Sequence, residues 1–266
     1  MKILHSPNEL NIALKPLRKE GKRIGLIPTM GSLHKGHLSL VEILRPKTDI
    51  LMASIFVNPT QFAPHEDFET YPRNEKKDLS LLEQSGTDFA YIPEIKHIYP
   101  QGPATEIIPT GAADGLESIN RPHFFAGVAT LILKLFSQCQ PDIAIFGEKD
   151  YQQLLVIRQM VKDLNLPIEI ASAPTIREAD GLALSSRNQY LTEAERKIAP
   201  KLYETLCQLA EQERPEQHIE QAKSKLEKTG FKVDYLELRK DWMRLLAATW
   251  LGTTRLIDNI ALSDKP

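Results

Sequence analysis

Ile24-Gly25-Leu26-Ile27-Pro28-Thr29-Met30-Gly31-Ser32-Leu33-His34-Lys35-Gly36-His37 reads as a strand, a turn and the opening of a helix. A short apolar run ends at Pro28, glycines flank the turn, and two histidines stand at i and i+3 where helical periodicity begins. Such a turn places imidazoles and free backbone N–H groups at a helix N-terminus, where unpaired donors and the helix dipole stabilise a phosphate. Gly31-x-x-x-x-Gly36-His37 has the outline of a phosphate loop. Histidine replaces the Lys-Ser/Thr that would hold phosphates and magnesium, so a mononucleotide-hydrolysing switch is disfavoured. His34 and His37 share one helix face. A zinc pair there lacks a recognisable third ligand and the Glu of His-Glu-x-x-His. The plain alternative is two surface histidines without a role.

Outward from this stretch, strand-like and helix-like segments alternate. Leu10, Leu14 and Leu17 recur at helical spacing before Gly21. Arg23 to Ile27 reads as a buried strand, His37 to Leu44 as a helix closed by Pro46, and Ile50 to Val57 as a strand ended by Asn58-Pro59. Asn74 to Ser85 is helical with Gly86 as its cap, and Phe89 to Ile92 is a short strand. Phe124 to Phe136 suits a helix, Ile143 to Phe146 a strand, Tyr151 to Asn165 a helix and Ile168 to Ala173 a strand. Strands buried on both sides and separated by helices predict an α/β fold with a parallel sheet covered on both faces. Ligands of such sheets bind beyond the carboxyl ends of the strands. His34 and His37, Asn58 to Gln61, and Gly147 to Asp150 all fall there.

The pattern changes near residue 175, which divides the chain into a sheet domain, 1–175, and a smaller C-terminal domain, 176–266. Thr192-Glu193-Ala194-Glu195 matches a capping box opening a long helix. A second helix ends at Gly230, and Val233 to Leu238 and Leu256 to Ile260 read as strands of a small α+β unit.

Composition narrows the classes of function. The 266 residues are 42% hydrophobic and 26% charged, as in ordinary globular proteins. A net charge of −2 gives no basic field for nucleic acid. The longest uncharged apolar run, Ile50 to Val57, falls far short of the roughly 20 residues that span a membrane. Met1 to Pro7 has no signal-peptide core. Cys139 and Cys207 have no metal spacing, and a reducing, cytoplasmic compartment is expected, with both thiols buried.

Three further clusters lie at strand ends or in the connection after residue 175. Asn58-Pro59-Thr60-Gln61-Phe62 offers neutral amides suited to a small hydroxy acid, with a plain Asn-Pro turn as the alternative. In Gly147-Glu148-Lys149-Asp150-Tyr151-Gln152-Gln153 a lysine follows a strand end directly, the alternative being a solvated charged turn. Leu184-Ser185-Ser186-Arg187 brings two hydroxyls and a guanidinium that could close on a triphosphate.

Together the strings Pro-Thr-Met-Gly-Ser-Leu-His-Lys-Gly-His, Ser-Ile-Phe-Val-Asn-Pro-Thr-Gln-Phe, Pro-Asp-Ile-Ala-Ile-Phe-Gly-Glu-Lys-Asp-Tyr-Gln-Gln and Asp-Gly-Leu-Ala-Leu-Ser-Ser-Arg-Asn resemble the pantothenate synthetase family. That family lies within the His-x-Gly-His nucleotidyltransferases. The resemblance is dense from Arg23 to about Leu191. It implies a Rossmann-like domain with a smaller C-terminal lid, and joining of pantoate to β-alanine with cleavage of ATP to AMP and pyrophosphate. By resemblance, Met30, Gly31, Ser32, Leu33, His34, Lys35, Gly36 and His37 would bind ATP, with His37 donating a proton. Gly147, Glu148, Lys149, Asp150, Ile176, Leu184, Ser185, Ser186 and Arg187 would complete the nucleotide site, with Mg²⁺ on the phosphates. Gln61 and Gln153 would hold pantoate, Gln61 also lying near β-alanine, with Asn58 and Arg121 as further substrate-binding candidates. Where the family reads Arg-Pro-Gly-His-Phe-x-Gly-Val, this chain has Arg121-Pro122-His123-Phe124-Phe125-Ala126-Gly127-Val128, so no role transfers to that histidine. A homodimer is a further family expectation.

The chemistry rationalises these residue types. Pantoate's carboxylate can attack the α-phosphorus without a base, the obstacle being the charge of the triphosphate. His34, His37, Lys149 and the helix N-terminus would neutralise it, and a lid would keep water from the mixed anhydride. Two other readings stay open here: a nucleotidyltransferase that releases an adenylylated metabolite and needs no amine, and a non-catalytic nucleotide-binding domain. A tRNA-charging enzyme is disfavoured by length and the lack of a basic face.

Overall fold

The computed structural model describes residues 1–62, 68–101 and 104–262. They form two compact units: Met1–Glu148 with Gln152–Pro174, and Lys149–Tyr151 with Thr175–Pro266. The change of pattern near residue 175 places Lys149–Tyr151 in the first domain, whereas their contacts group them with the second.

The first unit is a six-stranded parallel sheet among the described residues, in the order β1-β4-β3-β2-β5-β6. Its strands are β1 (Lys2–Leu4), β2 (Ile24–Thr29), β3 (Ile50–Ile55), β4 (Phe89–Tyr91), β5 (Ile143–Gly147) and β6 (Glu169–Ala173). Helices α1 (Pro7–Lys19), α2 (Lys35–Leu44), α3 (Glu75–Gln84), α4 (Ile95–Ile98), α5 (Glu117–Asn120), α6 (Phe124–Cys139) and α7 (Tyr151–Asp163) connect them. The central strands are apolar and buried along most of their length, as a sheet covered on both faces demands. Leu40, Val41 and Leu44 of α2 pack with Ile27, Leu51, Ala53, Ile143 and Ile145 in one cluster. Each such buried Leu or Ile contributes about 2 kcal/mol as an upper bound. Strand order reverses at β2, with β3 on one side and β5 on the other. In doubly wound sheets the ligand crevice opens at that switch.

The second unit holds α8 (Glu193–Ile198), α9 (Lys201–Ala210), α10 (Ile219–Lys228) and an antiparallel sheet of β7 (Phe231–Arg239), β8 (Arg244–Leu251) and β9 (Thr254–Ala261). The capping box at Thr192 is present, its hydroxyl accepting from the Glu195 amide and Glu195 accepting from the Thr192 amide. The long helix expected from it ends at Ile198, and α9 restarts after Pro200, a residue that cannot continue an i→i−4 ladder. β8, the central strand, is absent from the expected pattern: Leu-Leu-Ala-Ala-Thr-Trp-Leu has neither alternation nor helical period, because it is buried along nearly its whole length. Leu202, Leu206, Leu226, Leu236, Leu245 and Ile260 belong to one core. A bulge between Val233 and Tyr235 sets Asp234 out of register, and its carboxylate accepts from Trp250 Nε1 and Arg255 Nε. Among the described residues no helix is long and apolar enough to cross a membrane.

Candidate active site

The turn after β2 is built around a buried carboxylate that no local motif announces. Gly31 and Ser32 both have left-handed backbones, at φ +82 and +52. A Cβ on Gly31 would lie 3.1 Å from Asp78 Oδ2 and 3.2 Å from Ile55 Cγ2, so glycine suits both the conformation and the space. Asp78, on α3 and 2% exposed, accepts the Ser32 and Leu33 amides, one on each oxygen, at 2.8 Å. These two bonds hold Ser32 in a conformation that costs a non-glycine residue about 1 kcal/mol or more.

The two histidines then cap their own helix. His34 is the N-cap of α2; its Nδ1 accepts from the Gly36 amide at 3.1 Å, and His37 Nδ1 accepts from the His34 amide at 3.3 Å. This is a capping box with imidazoles in place of Ser and Glu. A backbone N–H can only donate, so each Nδ1 must carry a lone pair and each neutral ring carries its proton on Nε2. Protonating Nδ1 would set N–H against N–H. The arrangement therefore favours neutral rings acting as Nε2–H donors.

Two expectations change in consequence. Most of the turn's amides already have protein acceptors: Gly31 donates to Thr29 Oγ1, Ser32 and Leu33 to Asp78, His34 and Gly36 to the imidazoles, and His37 to the His34 carbonyl. Neutral imidazoles also supply hydrogen bonds rather than full positive charge.

The Asn58 turn follows β3. Asn58 is wholly buried, with its side-chain amide bonded to protein groups. Its Oδ1 accepts from the Thr60 amide, Thr60 Oγ1 and Tyr99 Oη, and its Nδ2 donates to the Gly127 carbonyl. Burial pushes the Tyr99 phenol up, against the opposing effect of its hydrogen bonds to Thr60 and Asn58, which keeps it a donor. Gly127 lets α6 close on this turn, since a Cβ there would stand 2.7 Å from the Thr60 carbonyl oxygen. Gln61 ends the turn and is partly exposed.

Arg121 is likewise a brace rather than an open cation. Its guanidinium donates to the Gln61 carbonyl at 2.5 Å, pairs with Glu117 at 3.3 Å and lies 3.9 Å over the Phe124 ring. Phe124, standing where the family has histidine, thus stacks against that arginine. Glu117 in turn donates its amide to Gln152 Oε1, and Gln152 Nε2 donates to the Ala112 and Gly115 carbonyls. Gln152 is buried, whereas its neighbour Gln153, about 100° further round the helix, is partly exposed.

Glu148 closes the first unit's share of the Gly147–Asp150 stretch, accepting from Ser172 of β6 at 3.0 Å. Lys149 and Asp150 fall in the second unit, and the Lys149 carbonyl accepts from Asn259 Nδ2 of β9 at 2.8 Å. Elsewhere in that unit Ile176 and Leu184 come together, the Leu184 amide donating to the Ile176 carbonyl beside an Arg177–Ala183 bridge. Arg177 makes a bidentate pair with buried Asp258, at 2.6 and 2.8 Å, and lies 3.5 Å over Tyr203. Ser185 caps the short turn Ser186–Tyr190 by accepting from the Arg187 amide, and Asn188 donates to the Ala183 carbonyl. Ile176 to Arg187 is therefore a segment folded back on itself through one bridge, with a capped end.

Asp78, Glu117, Arg177, Asp258 and Asn259 leave no local motif in the sequence because each acts on a residue far along the chain. The weak signal available was a polar residue on an otherwise apolar face. Among the described residues no group of three or more His, Cys, Asp and Glu could hold a metal ion.

Comparison with known proteins fits this geometry. A family described as pantoate-beta-alanine ligase matches residues 2–261. Pantothenate synthetase of Mesorhizobium japonicum is 48% identical over 97% of this chain and 96% of its own length. The crystal structure of pantothenate synthetase from Thermus thermophilus superposes with a TM-score of 0.89 at 41% identity, covering 98% of this chain and 99% of that one. The pantoate-beta-alanine ligase of Francisella tularensis, complexed with beta-gamma ATP and beta-alanine, gives a TM-score of 0.91 at 37% identity over 99% of this chain and 98% of that one. With the family matched over nearly its whole length and its histidine turn built as described, this chain belongs to the pantoate-β-alanine ligases.

Proposed function

We propose that this chain condenses (R)-pantoate with β-alanine to pantothenate through a pantoyl-adenylate, ATP entering as its magnesium complex and leaving as AMP and pyrophosphate. The observation that carries the reading is the histidine capping box at the carboxyl end of β2, which fixes both imidazoles to the turn through Nδ1.

In the first step a pantoate carboxylate oxygen bonds to the α-phosphorus while the bond to the bridging oxygen of pyrophosphate breaks. Negative charge moves onto the leaving group and the equatorial oxygens, and fixed donors there lower the barrier. His34 and His37 supply neutral hydrogen bonds to the phosphates, and Lys149 supplies the positive charge. Ser185, Ser186 and Arg187 receive the pyrophosphate, a task for which hydroxyls and a guanidinium fork are suited. Met30 to Leu33, Lys35, Gly36, Gly147, Glu148, Asp150, Ile176 and Leu184 line the rest of the nucleotide. Gln61 and Gln153 hold pantoate with neutral amides, Gln61 also meeting β-alanine. In the second step the deprotonated amine bonds to the acyl carbon, AMP departs, and the amine's remaining surplus proton is lost. The C-terminal unit serves as a lid that excludes water from the anhydride. Arg121 and Asn58 support the Gln61 turn in this scheme rather than touch substrate.

Cytoplasmic location, supported by two free thiols, and a homodimeric state belong to the same proposal. Pantoate-dependent exchange of labelled pyrophosphate into ATP, run without β-alanine, tests the central step. Exchange is expected; pantothenate formation with no such exchange would rule out a free adenylate.

A further inference from the structure

The geometry points to Asn259, backed by Arg244, as the positioning residue for Lys149. This rests on the reading of Lys149 as the cation that meets the phosphates.

Lysine is a point charge on a flexible four-carbon stem, so the placement of its backbone sets the space its ammonium can reach. Lys149 lies in a single 3₁₀ turn, Glu148–Asp150, and the bond to its carbonyl comes from β9. Asn259 is 4% exposed, and the orientation of its amide follows from its partners. Arg244 Nη1, which can only donate, stands 2.5 Å from Asn259 Oδ1, and the Lys149 carbonyl, which can only accept, stands 2.8 Å from Nδ2. Only one setting of the amide serves both. Asn259 also anchors itself, its backbone N–H donating to Asp258 Oδ1 at 2.7 Å.

Arg244 secures the other end of the segment. Its guanidinium lies 3.8 Å over the Tyr151 ring, whose centroid is 6.2 Å from that of Trp242, and Arg239 lies 4.0 Å over Trp242. Lys149 and Tyr151 are thus held by one arginine, through an amide on one and directly on the other. This accounts for the grouping of Lys149–Tyr151 with the C-terminal residues. Asn259 touches no substrate in this scheme; it acts through Lys149 alone.

A double-mutant cycle on pantoate-dependent pyrophosphate exchange tests this. K149A should cost 100-fold or more and N259A about tenfold in kcat, with KM for ATP changed about twofold at most. In the K149A background, adding N259A should change the rate less than about twofold, because the residue it positions is gone. Asn259 acting merely as a structural residue would lower both backgrounds equally, and that additive result overturns the proposal. So does N259A without effect beside a crippled K149A. K149A without effect removes the role of Lys149 itself, and this inference with it. Should N259A fold poorly by its thermal midpoint, N259D runs the same cycle, since it still accepts from Arg244 but has no donor for the Lys149 carbonyl.

Discussion

The turn after β2 and the Lys149–Tyr151 segment are each aimed by capturing backbone, but over very different lengths of chain. His34 and His37 brace each other across three residues, and Asp78 reaches the turn from 46 residues away. Lys149 is braced by a residue 110 positions on. The first arrangement leaves a motif in the sequence, because the residues that act also form the cap. The second leaves only Lys149 itself, flanked by ordinary charged residues. One arrangement is thus spelled in the sequence while the other, no less fixed, is not.

The sharpest way to break this comparison is to remove one acting group from each region. K149A and H37A should each lose about 3 kcal/mol of transition-state stabilisation, 100-fold or more in exchange rate. They should differ in stability. H37A also deletes one side of the capping box and should lower the thermal midpoint, whereas H37N, which retains an acceptor near the Nδ1 position but no Nε2–H, should preserve stability and still lose rate. Equal activity for H37N and the parent would show that the cap, and not the Nε2–H, is what His37 supplies.

Asp78 tests the first region alone. In D78N one oxygen can still accept, but the amide nitrogen then faces a backbone N–H. An orphaned buried donor costs about 1–3 kcal/mol, so urea unfolding should shift by that amount. With Ser32 no longer held at φ +52, exchange should also slow, by about tenfold. Unfolding shifted without any loss of rate would separate the turn's stability from its function.

The same contrast explains what could be read from the chain. The parallel sheet was legible because β2, β3 and β5 are apolar runs between helices, and burial on both faces leaves that mark. β8 is just as buried, but it lacks an alternating partner face and carries two alanines, so nothing distinguishes it locally from a helix fragment. Asn58 and Arg121 stand at strand ends and loops where polar side chains face ligands as readily as they tie turns. The bonds to Gly127, Tyr99 and the Gln61 carbonyl show the turn-tying part of their work, which no local motif announces. The free amides inferred for the histidine turn are fewer than expected for a related reason: a helix start predicts donors, but not that a carboxylate from α3 has already taken two of them.

Arg121 offers a smaller effect within the first unit. R121K keeps a charge for Glu117 but loses the fork that also reaches the Gln61 carbonyl, and the planar stack on Phe124. About 1 kcal/mol of stability should go. KM for pantoate should rise a few-fold, with ATP kinetics unchanged. A change confined to ATP would detach the Gln61 turn from the pantoate site.

The mildest test compares the two units through their thiols. Cys139 closes α6 in the first unit, fully buried, and burial pushes its thiol up to about 12. Cys207, on α9, is only partly buried, contrary to the expectation that both would be enclosed. A reagent must reach the sulfur, so at pH 8 iodoacetamide should modify one thiol per native chain, at the partly exposed Cys207, and two in urea. The sign for stability follows from the same shift. The folded chain holds the Cys139 proton more tightly than the unfolded chain, whose thiol titrates near 9. Its contribution is thus complete below about pH 9 and declines as pH climbs towards 12. C139A should flatten that alkaline decline. Modification of Cys139 in the native chain at a rate matching Cys207 would mean that the end of α6 opens as readily as the surface of α9, and the contrast between a closed sheet unit and a more accessible C-terminal one would fail.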